Sequence, residues 1–172
     1  WNLSSNLKNK DNLNSHLLEG LSAKGVPKNL TGTSYPFKYN DFDGFYKLIK
    51  KNPDIGIVKM EVARNEMPQN NFLEKVREIT RKKGIILIFD ECTSGFRQTN
   101  GGLHKLFKIN PDMAIFGKAL GNGYAINAIL GKERIMRSAE ETFISSTFWT
   151  ERIGPTAAIK TLEEMERIKS WK

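Results

Sequence analysis

The sequence predicts an α/β domain whose mostly parallel sheet is flanked by helices. Three observations carry this. Segments of helical period alternate with short apolar, β-branched runs; the strongest run, Ile85 to Phe89, is continuously apolar; and three strand candidates end in ionisable residues, Glu61, Asp90 and Lys118. Alternation of helix and strand is the pattern of a parallel sheet with crossover helices. A continuous apolar strand is the kind covered on both faces. In open sheets of this class, ligands bind beyond the carboxyl ends of the strands.

The elements follow in order. The first forty residues, rich in Asn, Ser, Leu and Lys with turn formers at Gly20, Gly25-Val26-Pro27 and Gly32, form an irregular lead-in with short helical or extended pieces. Asp41 caps a helix bearing Phe45, Leu48 and Ile49, which Asn52-Pro53 stops. Ile55 to Glu61 is a buried strand. Asn71 and Glu74 form a capping box for a helix with a Phe72, Val76 and Ile79 stripe, ended by Gly84. After the Ile85 to Phe89 strand come a short helical stretch at Leu103 to Phe107, a strand at Met113 to Phe116 and another at Ala125 to Leu130. A short helix near Glu133 to Glu140 precedes the last one, entered at Gly154-Pro155 with Ile159, Leu162, Met165 and Ile168 on one side.

Composition bounds the function. The 172 residues are 39% hydrophobic and 27% charged, which excludes collagen-like and wholly disordered chains. The longest apolar stretch falls far short of the roughly 18 residues of a spanning helix. No membrane partner is expected. One cysteine excludes an intrachain disulfide and Cys-rich metal sites, and suits a reducing cytoplasm. The net charge is +8, but the basic residues are scattered among acids, so a solvated surface rather than a nucleic-acid partner is expected. The N-terminus lacks a signal-peptide pattern and a methionine, so the chain is expected to start within a longer protein.

The ionisable strand ends suggest two chemistries. An apolar strand ending in Asp90-Glu91 occurs in nucleotide hydrolases, but these need a Gly-x-x-x-x-Gly-Lys loop. Five residues before the glycines of Gly117-Lys118 and Gly131-Lys132 stand Asp112 and Ile126, so neither fits. A lysine in a partly dry place among glycines, as Lys118 is before Gly121-Asn122-Gly123, is a nucleophile toward aldehydes. Pyridoxal phosphate chemistry needs such a lysine, and a carboxylate against the pyridine nitrogen to keep the ring an electron sink. Lys118 and Asp90 are the right types at neighbouring strand ends. A surface lysine and an Asp90 helix cap or surface ion pair are the plainer alternatives.

The run Leu87-Ile88-Phe89-Asp90-Glu91-Cys92-Thr93-Ser94-Gly95-Phe96-Arg97, followed by Gly101-Gly102, Pro111-Asp112-Met113, Phe116 to Gly123 and Ser146-Thr147-Phe148, resembles the signature of class III aminotransferases. It is most similar to the glutamate-1-semialdehyde 2,1-aminomutase-like branch. The resemblance implies a fold-type I pyridoxal-phosphate-dependent transferase fold, with residues 1–172 an incomplete large domain: 1–40 the lead-in, 41–172 the α/β core, and the C-terminal small domain absent. It makes Lys118 the Schiff-base lysine and Asp90 the partner of the pyridine nitrogen of pyridoxal 5'-phosphate. Cys92 falls where valine usually packs under the ring, and Thr93 approaches the ring hydroxyl. Thr147 matches the threonine that reaches the phosphate of the neighbouring subunit, which implies a homodimer with shared active sites. Glu61 matches a substrate-side glutamate, although Val62 replaces the usual proline. The resemblance implies amino-group transfer on a small-molecule donor and acceptor. It leaves open whether the group passes between two molecules or within one. A catalytically incomplete fragment or non-enzymatic remnant of such an enzyme is the alternative. The phosphate cradle within the same subunit would lie before Trp1, and the charged stretch Thr150 to Arg152 departs from the family pattern. His16 and His104 are expected to be surface or packing residues.

Overall fold

The structure is a computed structural model that describes residues 24, 25 and 27–172. The lead-in reading on residues 1–23 and 26, with Gly20 and His16, lies outside the described residues. Lys28–Leu30 forms one 3-10 turn. Helix α1, Phe42–Lys51, starts where expected, because Asp41 Oδ1 accepts a hydrogen bond from the Gly44 N–H at 2.9 Å. It buries Phe45 and Ile49 and ends at Asn52, whose N–H still donates to the Leu48 carbonyl. The chain divides into two compact units, Trp1–Asp54, which holds α1, and Ile55–Lys172.

The second unit is built on a four-stranded sheet ordered β1 (Ile57–Glu61), β2 (Ile86–Asp90), β3 (Met113–Phe116) and β4 (Ala128–Gly131). The first three strands run parallel and β4 runs antiparallel to β3. Helix α2, Phe72–Lys82, makes the crossover from β1 to β2. It ends as Gly84 predicts: Gly84 takes φ +69°, a left-handed conformation open to glycine, and the Ile85 N–H returns to the Thr80 carbonyl at 2.8 Å.

The capping box expected at its start is not formed. Asn70 and Asn71 both adopt left-handed backbone conformations, and the Asn71 side chain makes no cap bond. A capping side chain works from an extended backbone, which Asn71 lacks. The buried stripe of α2 is Phe72, Leu73, Val76 and Thr80, with Ile79 only half buried.

One face of the sheet is the core. Val58 and Met60, Leu87 and Phe89, and Ala114 and Phe116 are all buried on it. Ala114, Phe116 and Leu120 pack with Ala158 and Leu162 of helix α4, Ile153–Ile168, which follows the short helix α3, Glu133–Met136. The opposite face differs from the expectation of two covered faces. Ile86, Ile88 and Asp90 are half buried, and Ile57 is 58% exposed, so β1 and β2 alternate rather than being buried throughout.

Two further boundaries moved. The strand expected from Ala125 begins at Ala128, because Gly121 to Tyr124 closes a turn and the Ala125 carbonyl lies against Gly154 of α4. In α4 the buried positions are Gly154, Ala158 and Met165, while Ile159 and Ile168 are more than half exposed. The helix buries its small residues, Gly154 against Ala125 and Ile126 and Ala158 in the Ala114 and Phe116 cluster, and leaves the isoleucines outside. Its first turn is capped from the charged stretch after Thr147, where Glu151 accepts from the Ile153 N–H at 2.5 Å.

Candidate active site

The register of the sheet builds the site. Glu61 lies opposite Asp90, and Asp90 opposite Ile115, so the carboxyl ends of β1, β2 and β3 are level. Lys118 follows Ile115 by three residues, at the start of a 3-10 turn, with φ +43°. The turn is closed by the Gly121 and Asn122 N–H groups donating to the Lys118 carbonyl. A side chain at Gly117 would strike Asn127 Oδ1 and touch Cys92 Sγ, so glycine lets this turn sit close against the end of β2.

Two residues, Lys59 and Cys92, hold Asp90, and the Cys92 thiol as well as its N–H is hydrogen-bonded to the carboxylate. Asp90 Oδ2 meets Lys59 Nζ at 2.8 Å, and Asp90 Oδ1 accepts from the Cys92 N–H at 3.2 Å. Burial pushes its carboxyl up, but the Lys59 hydrogen bond and charge and the Cys92 N–H outweigh this and hold it below the ordinary range. A carboxylate offers about four acceptor sites. Asp90 therefore keeps capacity for one further donor.

Lys118 Nζ donates to Thr93 Oγ1 at 2.7 Å. Lys118 is exposed, so the partly dry setting expected for it is not supplied by the described residues. Cys92 is half buried; burial and the neighbouring Asp90 push its thiol up, which makes it a poor nucleophile. Glu61 Oε1 accepts from Arg64 at 3.2 Å, while Glu61 Oε2 is buried with no hydrogen-bond partner. Such an atom costs free energy until a donor reaches it. Thr147 lies elsewhere in the chain's surface, within 141–150, where every residue is exposed. The structure thus brings together Glu61, Asp90, Cys92, Thr93 and Lys118 at one sheet edge and sets Thr147 on an exposed loop.

Two groups at this edge received no role in the site from the sequence. Lys59 is one, although a lone lysine inside Ile57-Val58-Lys59-Met60 was a visible signal. Glu91 is the other. It is fully buried and accepts from Ser94 Oγ at 2.5 Å, from the Leu103 and His104 N–H groups at 3.0 Å each, and from His104 Nδ1 at 2.7 Å. Burial pushes its carboxyl up, yet these donors hold it below its ordinary value. The network pins the loop that carries Cys92 and Thr93. The His104 ring, bonded to Glu91 in this network, lies 5.9 Å from that of Phe89.

Comparison with known proteins defines the class. Residues 64–172 match the model of the family described as Aminotransferase class-III, and the chain belongs to that family. It is 44% identical over 151 residues to the 3-aminobutyryl-CoA aminotransferase of Cloacimonas acidaminovorans (strain Evry), covering 83% of this chain and 36% of that protein. It is 35% identical over 153 residues to the glutamate-1-semialdehyde 2,1-aminomutase of Methanococcus maripaludis (strain C5 / ATCC BAA-1333), covering 84% and 36%. Among solved structures, the FumI protein of Sphingopyxis sp. MTA144 in a PLP form superposes with TM-score 0.78 at 26% identity, over 86% of this chain and 37% of that one. The chain therefore spans about a third of the length of its relatives. The family and its PLP-bound structural relatives indicate pyridoxal phosphate as the cofactor. The residues at the sheet edge fit it: a carboxylate with acceptor capacity, an exposed amine and a buried carboxylate oxygen awaiting a donor.

No helix among the described residues is long and apolar enough to cross a membrane.

Proposed function

We propose that this chain forms the cofactor-facing part of an enzyme for pyridoxal-phosphate-dependent amino-group transfer, with Lys118 as the Schiff-base lysine. The observation that carries this is the level placement of Glu61 and Asp90 at neighbouring strand ends, with Lys118 in the turn beyond the next strand. When bound, pyridoxal phosphate supplies an aldehyde that bonds to amines and a ring that takes up electrons.

The residues divide the remaining work. Lys118 offers its Nζ to the aldehyde and, once released, carries the proton at the substrate carbon bearing the amino group. Thr93 Oγ1, at 2.7 Å, orients that Nζ. Asp90, held ionised, accepts from the ring nitrogen and keeps its proton there. Cys92 would pack against the cofactor ring when it is bound. Glu61 Oε2 awaits a donor on the substrate side. Thr147 serves the phosphate of a second subunit, a reading supported by the exposed apolar residues around it, Phe143 at 96%, Phe148 at 63% and Trp149 at 69% exposed.

The small-molecule donor and acceptor belong to the same proposal, as does the choice between transfer to a second molecule and transfer to a neighbouring carbon, since both use the same lysine and aspartate. A second reading, a catalytically incomplete fragment or non-enzymatic remnant of such an enzyme, draws support from the chain's covering only 36% of the matched relatives.

The test is Lys118→Ala in the full-length protein. Amino transfer to a carbonyl acceptor should fall by roughly 10³-fold or more, and the absorbance band of the lysine-bound cofactor should vanish. Retention of the band in the variant would overturn the assignment.

A further inference from the structure

Asp90 has a neighbour that the amino-transfer reading leaves without a role. Lys59 stands two residues before Glu61 on β1 and pairs in register with Ile88, which places it diagonally across from Asp90. Its Nζ lies 2.8 Å from Asp90 Oδ2, with Lys59 55% exposed and Asp90 24% exposed. The other ionisable groups around this carboxylate are Glu61 on β1, Cys92 just beyond β2 and Lys118 beyond β3. Lys59 is the cation that touches it.

We propose that Lys59 is a positioning residue for amino-group transfer: its ammonium shares the Asp90 carboxylate with the cofactor's ring nitrogen and so limits how tightly Asp90 holds the ring proton. The inference rests on the reading of Asp90 given above. Its physics is that of two cations on one anion. A positive charge at hydrogen-bond distance lowers the carboxylate's basicity toward any second donor, and it repels the positive ring directly. With Asp90 Oδ1 also engaged by the Cys92 N–H, the carboxylate meets the ring already partly neutralised. An aspartate without Lys59 would bind the ring proton more strongly. Glu61, the nearest acid in register, gives its exposed-side oxygen to Arg64, so it leaves the Lys59 charge directed at Asp90.

The experiment has two readouts besides turnover. In cofactor-free protein, the Asp90 carboxyl is titrated by ¹³C NMR in the wild type, Lys59→Met and Lys59→Arg. The Met variant should titrate higher by about one pH unit, and the Arg variant should stay near the wild type. Each protein is then loaded with ring-¹⁵N pyridoxal phosphate, and the ring nitrogen should release its proton at higher pH in Lys59→Met than in the wild type or Lys59→Arg. An Asp90 that titrates identically with and without Lys59 overturns the proposal. So does an Asp90 that moves while the ring nitrogen does not. If the wild type shows no Lys118-dependent cofactor band, the amino-transfer reading fails and takes this inference with it; the Asp90 titration, read without cofactor, keeps that failure distinct from the absence of the ion pair.

Discussion

Two aspartates mark the two ends of the same sheet. Asp112, just before β3, is 4% exposed and has its oxygens filled: Arg77 of α2 binds both at 2.7 and 3.1 Å, the Leu87 N–H donates at 3.0 Å and Lys132 Nζ at 2.6 Å. Its own backbone accepts from Lys132 and donates to Leu87, so one residue ties α2, β2, β3 and the end of β4 together. Burial pushes its carboxyl up, but Arg77, the Leu87 N–H and Lys132 carry it well below the carboxylate range. Asp90, at the other end, has one half-exposed lysine and the N–H and thiol of Cys92, with Glu61 beside it carrying an oxygen that has no partner among the described residues. The same residue type is consumed by structure at the amino edge and left partly unspent at the carboxyl edge. Chemistry is available where hydrogen-bonding capacity remains.

The strongest way to break this comparison is to exchange the losses. Asp112→Ala should leave Arg77 without its partner and lower unfolding free energy by about 3 kcal/mol in urea titration. Asp90→Ala should cost less than about 1 kcal/mol but cut amino transfer by roughly 10²-fold or more. Equal stability losses for the two would erase the distinction. Next in size, Met165→Ala in the buried face of α4 should cost about 2 kcal/mol.

Acid sharpens the same contrast. Asp112 and Glu91 both titrate below their ordinary values, so the stability they contribute is present above the unfolded carboxyl range near pH 4 and is lost as pH falls through their folded values. Asp112→Asn should therefore flatten the acid limb of the stability curve, measured by circular dichroism below about pH 4. The smallest effect belongs to Ile159→Ala, which should stay within about 0.5 kcal/mol because the residue faces solvent.

Several elements were legible because their signals are local. The apolar run Ile85 to Phe89 ending in Asp90, the glycine after α2 and the Asp41 cap each depend on a few neighbouring residues. The rule for open sheets, together with the resemblance, joined Lys118 to Asp90. Contacts between residues distant in sequence were not legible. Arg77 and Asp112 are 35 residues apart and meet only through the crossover, and the Glu91–His104 pair spans 13. The Asn71 cap failed for a related reason: residue type suggests a cap, but the left-handed backbone of Asn70 and Asn71 is set by how the chain enters α2. In α4 periodicity identified a helix yet misplaced its buried face, since Gly154 lies against Ala125 and Ile126 and Ala158 joins the Ala114 and Phe116 cluster, where small residues allow close approach. Lys59 was legible in principle, as a charged residue on an otherwise apolar strand.

The measurement that bears most directly on the central claim is to incubate the protein with pyridoxal phosphate, reduce with borohydride and map the adduct by peptide mass spectrometry. The carboxyl-edge site predicts selective modification of Lys118, with Lys59, engaged by Asp90, and Lys132, engaged by Asp112, left unmodified. Modification of surface lysines with Lys118 untouched would contradict it.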